Sequence, residues 1–387
     1  MTHGPLHGIR VVEAGRFITA PYASMLLADL GAEVIKIESP DGGDPFRNAG
    51  PGVSARFLAY NRGKRSVALD VRTDEGRAAL LRIFATADVY IENFRPGVMA
   101  RLGLDYASVK DACPQLVYCS ITGAGDSGPL ATVPMYDAIG QGLSGLMSQF
   151  SAPEQPQPLG PALSDSITGL MAAYGIQAAL LERTRTGRGQ RVETSMLAAT
   201  ISFLAEPAAH YFTTGVPQDT LTRPRQSQSY GFLASDDKPL VIHLSSPEKF
   251  WFRLLEATDR LDLQDDPRFN NYQNRVDGYH EIHAELKPVL ATRDRAHWLT
   301  RFAEVDLPAG PVLGTGEVFD HPQVKELQVE ETLDGGEKVA GRGVRLESLS
   351  SEMASPPVFA ADTDRVLSEI GYSPDDIERL RDQGVIA

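Results

Sequence analysis

The segment GPALSDSITGLMAAYGIQAALLERTRTG, residues 160–187, sets a single carboxylate, Asp165, where a loop is predicted to turn into a helix. At or next to an N-cap, unpaired backbone amides and the positive end of the helix dipole favour negative charge, so Asp165 is expected to be ionised. An ionised carboxylate in such a place is ready to act as a nucleophile. Ser164, Asp165 and Ser166 are also ordinary capping residues, and capping is the commoner role of such a trio.

Other residues with chemistry to offer flank predicted strands. Arg62, Lys64 and Arg65 precede a predicted strand at 66–71 and Arg72 follows it. In an acidic chain such a cluster suits a phosphate, or else a solvated face. Asn93, Phe94, Arg95, Pro96 and Gly97 come directly after a predicted strand at 88–92, with Arg101 on the next helix. That is the C-terminal edge of an α/β sheet, where ligands bind. A ring, an amide and two guanidiniums there suit a nucleotide-like ligand; the plain alternative is a Pro-Gly turn over a buried Phe. Glu38 stands like the ribose-binding acid of a dinucleotide fold, but the first turn reads EAGRFITAP and lacks GxGxxG. Close approach of backbone to a pyrophosphate is therefore not provided there. His280 and His283 have HxxH spacing without HExxH or a nearby Cys, which argues for surface helix residues and against a metal site.

The elements that must position these residues alternate. Residues 9–13 read as a buried strand, 21–30 as a helix ended by Gly31, and 33–38 as a second strand, so the chain opens with a β-α-β unit and a parallel sheet. The alternation continues through a helix at 73–86 and strands at 88–92, 116–122 and 190–194. Ile167, Leu170, Met171, Tyr174, Ala178 and Leu181 recur at spacings of three and four, and this stripe of the Asp165 helix is predicted to face a core. Glycines at 140, 142 and 145 predict close backbone packing. A polar, Pro-bearing stretch near Gly215 reads as a linker. The expected organisation is α/β: a large domain whose N-terminal part is 1–215, a linker and small domain at 216–312, and a return linker with the C-terminal part of the large domain at 313–387. The 387 residues carry 37 basic and 51 acidic side chains, a formal net charge of -14, which repels nucleic acid and anionic lipid. Cys113 and Cys119 form no CxxC pair, and no window approaches eighteen apolar residues. A cytoplasmic protein with no membrane partner is expected.

Seven blocks in order resemble the class III coenzyme A-transferases, also called the carnitine-transferase and bile-acid-inducible F family. They are APYASMLLADLGAEVIKIE with the following GGDPFR, NRGKRSVALDV, ADVYIENFRPGVMARLGL, YDAIGQGLSGLM, SDSITGLMAAYGIQAALLERTRTGRGQRVETSM, DDPRFNNYQNR and GPVLGTGEVFDHPQV. The resemblance spans nearly the whole chain. It implies a Rossmann-like large domain with a parallel sheet, a smaller α+β domain, and an obligatory homodimer of interlocked chains. It implies coenzyme A and acyl-CoA as substrates, a free carboxylic acid as the other reactant, and no tightly bound cofactor. Asp165 falls on the family's nucleophilic aspartate. CoA is implied near Phe17, Thr19, Asn93, Phe94 and Arg101, with Leu69 and Arg72 toward the adenine end, and Tyr136 matches an active-site tyrosine. The implied reaction moves CoA from a thioester to an acid through an anhydride and an aspartyl-CoA thioester on Asp165.

Departures from the family pattern bear on the substrate. Formyl- and oxalyl-transferring members have a glutamine where this chain has Ile18, and a glycine-rich lid where it reads SQSYGFLASDDK, which points to other acids. Ser39 stands in place of a second-strand arginine, so contacts to the adenosine phosphate must differ. The nearest rival is the α-methylacyl-CoA racemase branch, which needs two bases and has a His-Asp pair where this chain has Tyr136 and Asp137. A tyrosine is a poor base at neutral pH. A nicotinamide dehydrogenase and a non-catalytic CoA-binding partner stand further off.

Overall fold

The computed structural model describes residues 4–48, 54–349 and 352–387. The chain divides into two compact units, one of Met1–Met147, Gln157–Ala205 and Gln328–Ala387, the other of Ser148–Pro156 and Glu206–Leu327.

In the larger unit six short strands, β1 (Arg10–Glu13), β2 (Glu33–Glu38), β3 (Lys64–Ala68), β4 (Val89–Glu92), β5 (Val117–Thr122) and β6 (Arg191–Ser195), form one parallel sheet in the order β3-β2-β1-β4-β5-β6. Val11, Val12, Ile35, Val89, Ile91 and Val117 are wholly buried, as central strands covered on both faces must be. The order reverses between β1 and β4, and the C-terminal ends of those strands open a crevice at the switch point.

Helices α1 (Thr19–Asp29), α2 (Ala55–Asn61), α3 (Asp74–Phe84), α4 (Val98–Arg101), α5 (Tyr106–Val109), α6 (Asp137–Leu143), α7 (Leu163–Thr186) and α8 (Met196–Phe203) carry the loops at that edge. One face of the sheet packs α1 and α7, with Ala20, Ala23 and Leu27 against Ala172, Ile176 and Leu180. The two helices touch because position 169 is glycine: a Cβ there would lie 2.9 Å from the Thr19 carbonyl oxygen and 2.9 Å from the Tyr22 ring. Of the three glycines at 140, 142 and 145, only Gly140 is closely packed, its Cβ position falling 2.3 Å from Met196 Sδ.

The other face carries α3 and the end of the chain. Val366, Leu367, Ile377, Leu380, Val385 and Ile386 close the core over Val67, Leu69 and Leu80. Ser66 N–H donates to Asp362 (3.0 Å), Ala68 N–H to Thr363 Oγ1 (3.1 Å), and Asp70 N–H to the Val385 carbonyl (2.8 Å), so the last residues cover the edge of β3.

The smaller unit has an antiparallel sheet, β7 (Ser229–Leu233), β8 (Pro239–His243) and β9 (Ala309–Pro311), and a core of its own around Trp251, Ile282, Trp298 and Phe302.

Two readings of the sequence are corrected. Most of the stripe expected to face the core from α7 does not: Ile167 is buried and Met171 half-buried, but Leu170, Tyr174 and Leu181 are 49%, 72% and 69% exposed. The adjoining face, Gly169, Ala172, Ala173, Ile176, Ala179 and Leu180, goes inward instead, and its small residues, Gly169 above all, let α1 come close. The third strand begins at Lys64 and not at residue 66, which draws Lys64 and Arg65 into the sheet.

Candidate active site

Past β1 the chain leaves the sheet through Gly15 and Arg16, and Phe17 takes a left-handed backbone (φ 66°) before α1 begins. A bulky residue in that region stores strain and needs support. Asn93, directly after β4, supplies it. Its Oδ1 accepts Arg16 N–H (3.0 Å), and its Nδ2 donates to the Arg16 carbonyl (2.9 Å) and to Thr19 Oγ1 (2.9 Å). One amide thus ties together the two loops beside the switch point. The Phe17 ring stands edge-on to Phe46 (5.5 Å) and to Tyr136 (6.0 Å).

Phe17, Thr19, Asn93, Phe94, Tyr136 and Asp165, six of the nine residues expected at the site, line one cavity of about 280 Å3. Leu69 and Arg72 line a neighbouring cavity of about 200 Å3 with Ile37, Leu80, Tyr90 and Met99; Arg16 and Phe94 border both. Arg72 is held there by Asp70 (2.8 and 2.9 Å) and Asp41 (3.1 Å). Arg101 lines neither cavity, and its guanidinium folds back over Gly97.

The setting of Asp165 differs from the expected one. The helix starts at Leu163 after Ala162, so Asp165 is its third residue and not the cap. Burial first, and then the Asp137 carboxylate facing it, push the Asp165 carboxyl up to about 7. A helix terminus contributes only about 0.3–1 kcal/mol toward the anion, too little to offset these two effects. Asp137 Oδ1 accepts the Asp165 N–H at 3.2 Å, while its Oδ2 accepts from the Gln141 side-chain amide at 2.5 Å.

Other chemical candidates prove structural. Arg62 grips Asp29 with two bonds (2.9 and 2.6 Å), and buried Lys64 donates to Glu13 (3.0 Å), the Pro21 carbonyl (2.9 Å) and Asn61 (2.9 Å). Arg65 pairs with Glu33, Asp362 and Glu369. Glu38 is clasped by Arg47 (2.7 and 2.6 Å) and Ser66 (2.7 Å), which occupies the carboxylate that a ribose would need. His283 bonds the Gly231 carbonyl (3.0 Å) and stacks on Phe232.

Two residues at the site went unassigned as transferase residues in the sequence. Asp137 adjoins Tyr136, and its spacing of four from Gln141 on one helix was its only local signal. Tyr60 on α2 reaches Ser166 with its hydroxyl; burial foremost, then the nearby Asp165 charge, raises its pKa. Nothing near Tyr60 in the sequence announces this.

Comparisons with known proteins place the chain in a family. The sequence pattern of CoA-transferase family III matches residues 6–363. The chain is 36% identical to the succinate–glutarate CoA-transferase of Agrobacterium fabrum, covering 90% of each protein. It is 34% identical to the acetyl-CoA:oxalate CoA-transferase of Acetobacter aceti, over 91% of this chain and 92% of that one. The crystal structure of a CAIB/BAIF family protein from Brucella suis superposes with a TM-score of 0.85 at 34% identity, covering 95% of this chain and all of that one. With a pattern that runs almost end to end and relatives that share a third of their residues, the chain belongs to CoA-transferase family III and is an enzyme that moves coenzyme A from an acyl-CoA thioester to a free carboxylic acid.

Proposed function

We propose that Asp165 carries the transfer covalently and that the acceptor is a dicarboxylic acid. The observation that carries this reading is the cavity at the switch point, where the Asp165 carboxyl meets Phe17, Thr19, Asn93, Phe94 and Tyr136. In its ionised form Asp165 attacks the thioester carbonyl and expels CoA thiolate, leaving an acyl-aspartyl anhydride. The thiolate attacks the aspartyl carbonyl and releases the donor acid, which leaves aspartyl-CoA. The acceptor carboxylate attacks this thioester, and the thiolate set free then takes the acceptor acyl group and restores Asp165. A walled cavity suits this sequence, since an anhydride open to water hydrolyses. Leu69 and the neighbouring apolar slot receive the adenine, and Arg72 in the same slot serves the phosphates of the nucleotide.

The dicarboxylate class is supported by the names of the relatives, succinate, glutarate and oxalate transferases. Arg16 and Arg95 line the Asp165 cavity, and a guanidinium pairs well with the second carboxylate of a diacid. Ile18 argues against oxalate, whereas the oxalate-named relative argues for its inclusion in any panel. The strand order supports a Rossmann-like large domain. The exposed apolar stripe of α7 supports a homodimer, whose interlocking and cytoplasmic location complete the reading.

The test is intact-protein mass after mixing with succinyl-, glutaryl-, acetyl- and oxalyl-CoA, followed by peptide mapping. A CoA-sized adduct on the Asp165 peptide, absent from Asp165→Ala, is expected. Transfer by Asp165→Ala at about a tenth or more of the wild-type rate would remove Asp165 from the nucleophile's role.

A further inference from the structure

Gln141 is wholly buried on α6, four residues beyond Asp137 and on the same face of the helix. Its Oε1 accepts the Leu159 N–H at 2.8 Å, while its Nε2 donates to Asp137 Oδ2 at 2.5 Å and, at 3.4 Å, to the Leu159 carbonyl. The orientation of this amide is fixed by chemistry. A backbone N–H can only donate and a carboxylate can only accept, so oxygen must face Leu159 N–H and nitrogen must face Asp137. Asp137 Oδ1 in turn accepts the N–H of Asp165. A single line of bonds therefore runs from the loop before α7, through Gln141 and Asp137, to the backbone of the reacting residue.

We propose that Gln141 is a positioning residue: it holds the Asp137 side chain in place against the Asp165 backbone and so sets how close that carboxylate stands to Asp165 during transfer. The inference rests on Asp165 as the nucleophile. A carboxylate held close to another disfavours its ionisation, and one freed to swing away does so less. The other ionisable groups facing Asp165 are few. Tyr60 approaches from α2, with Tyr22 of α1 beside it, and Tyr136 leads into α6. Arg16 and Arg95 line the same cavity from the loops after β1 and β4. Among the described residues the Gln141 side chain bonds Leu159 and Asp137, so its influence on Asp165 passes through Asp137.

The experiment is the pH profile of CoA-adduct formation on Asp165 with one fixed donor. Gln141→Met removes the donor to Asp137, and the acidic limb should move down by about half a pH unit, roughly threefold in rate on that limb. Gln141→Glu keeps the volume and the acceptor for Leu159 N–H but sets a further carboxyl against Asp137; its limb should move up, and it serves should the Met variant fail to fold. In an Asp137→Asn background the limb should already be low, and Gln141→Met should move it no further. A limb that stays fixed in both single variants while the rate falls evenly at every pH would overturn the proposal, as would an undiminished shift in the Asp137→Asn background. Asp165→Ala is run in parallel. If it still forms the adduct, the nucleophile reading falls and this inference with it; if it forms none and the limb is fixed, only the role of Gln141 is lost.

Discussion

At Asp165 the helix terminus pulls toward the anion while burial and Asp137 pull toward the acid, and the second pair prevails. Because the folded value, about 7, lies above the unfolded one, the folded state favours the proton. That advantage is complete below the unfolded value and is given up as pH rises to about 7. Asp165→Asn should therefore melt above wild type at pH 8, with a smaller gap at pH 5; a gap of equal size at both would show that this carboxyl does not carry the perturbation. Transfer needs the anion, so its rate should climb between about pH 6 and 8. Asn93→Ala should lower kcat/KM by about 100-fold with little change in Tm, because it frees the Arg16–Thr19 turn while leaving the core intact. Steady-state kinetics beside a melting curve would separate the two. Asn93 was legible in the sequence because it directly follows a parallel strand, and Asp165 because a polar trio opens an apolar helix. The protonation of Asp165 was not, since the Asp137 carboxylate comes from 28 positions away and no local pattern reports such a meeting.

Among the elements, α1 and α7 are held together by the absence of a side chain at Gly169. Gly169→Ala should push Thr19 away from the cavity, lowering both stability and transfer, and a normal kcat/KM would show that α1 has room to shift. Beneath the first loop, Glu13 accepts from Lys36 (3.1 Å), Lys64 (3.0 Å) and Gly15 N–H (2.7 Å), all buried. Glu13→Gln leaves buried Lys64 without a carboxylate, though Lys36 keeps Asp44 (3.0 Å), and should cost about 3–5 kcal/mol in urea unfolding. The alternation of strands and helices was readable from apolar runs and turn residues. Which side of α7 turns inward was not: that helix is apolar nearly all round, and the choice falls to small residues whose value appears only when α1 lies against them. The cluster Arg62, Lys64 and Arg65 misled for a related reason, because its carboxylate partners stand on β1, β2, α1 and the chain's last helices.

For the whole molecule, the sequence could show an α/β chain interrupted by a second unit but could not show how the apolar stripe of α7 is covered. With Leu170, Tyr174 and Leu181 exposed in the single chain, sedimentation should give twice the chain mass, and Tyr174→Glu with Leu181→Glu should reduce it to one. A wild-type monomer would dismiss the homodimer. The cover of β3 has a consequence of another kind, in time. Ala68 waits for Thr363, 295 residues later, which at about 5–20 residues per second of synthesis is roughly 15–60 s. In the later part of that interval, once β6 has been made, the growing polypeptide holds its sheet strands with the β3 edge bare, while most of the smaller unit is still being made. A chain released before Thr363 would accordingly be not a smaller enzyme but a sticky one, and its survival in the cell would depend on chaperones meeting it at the ribosome.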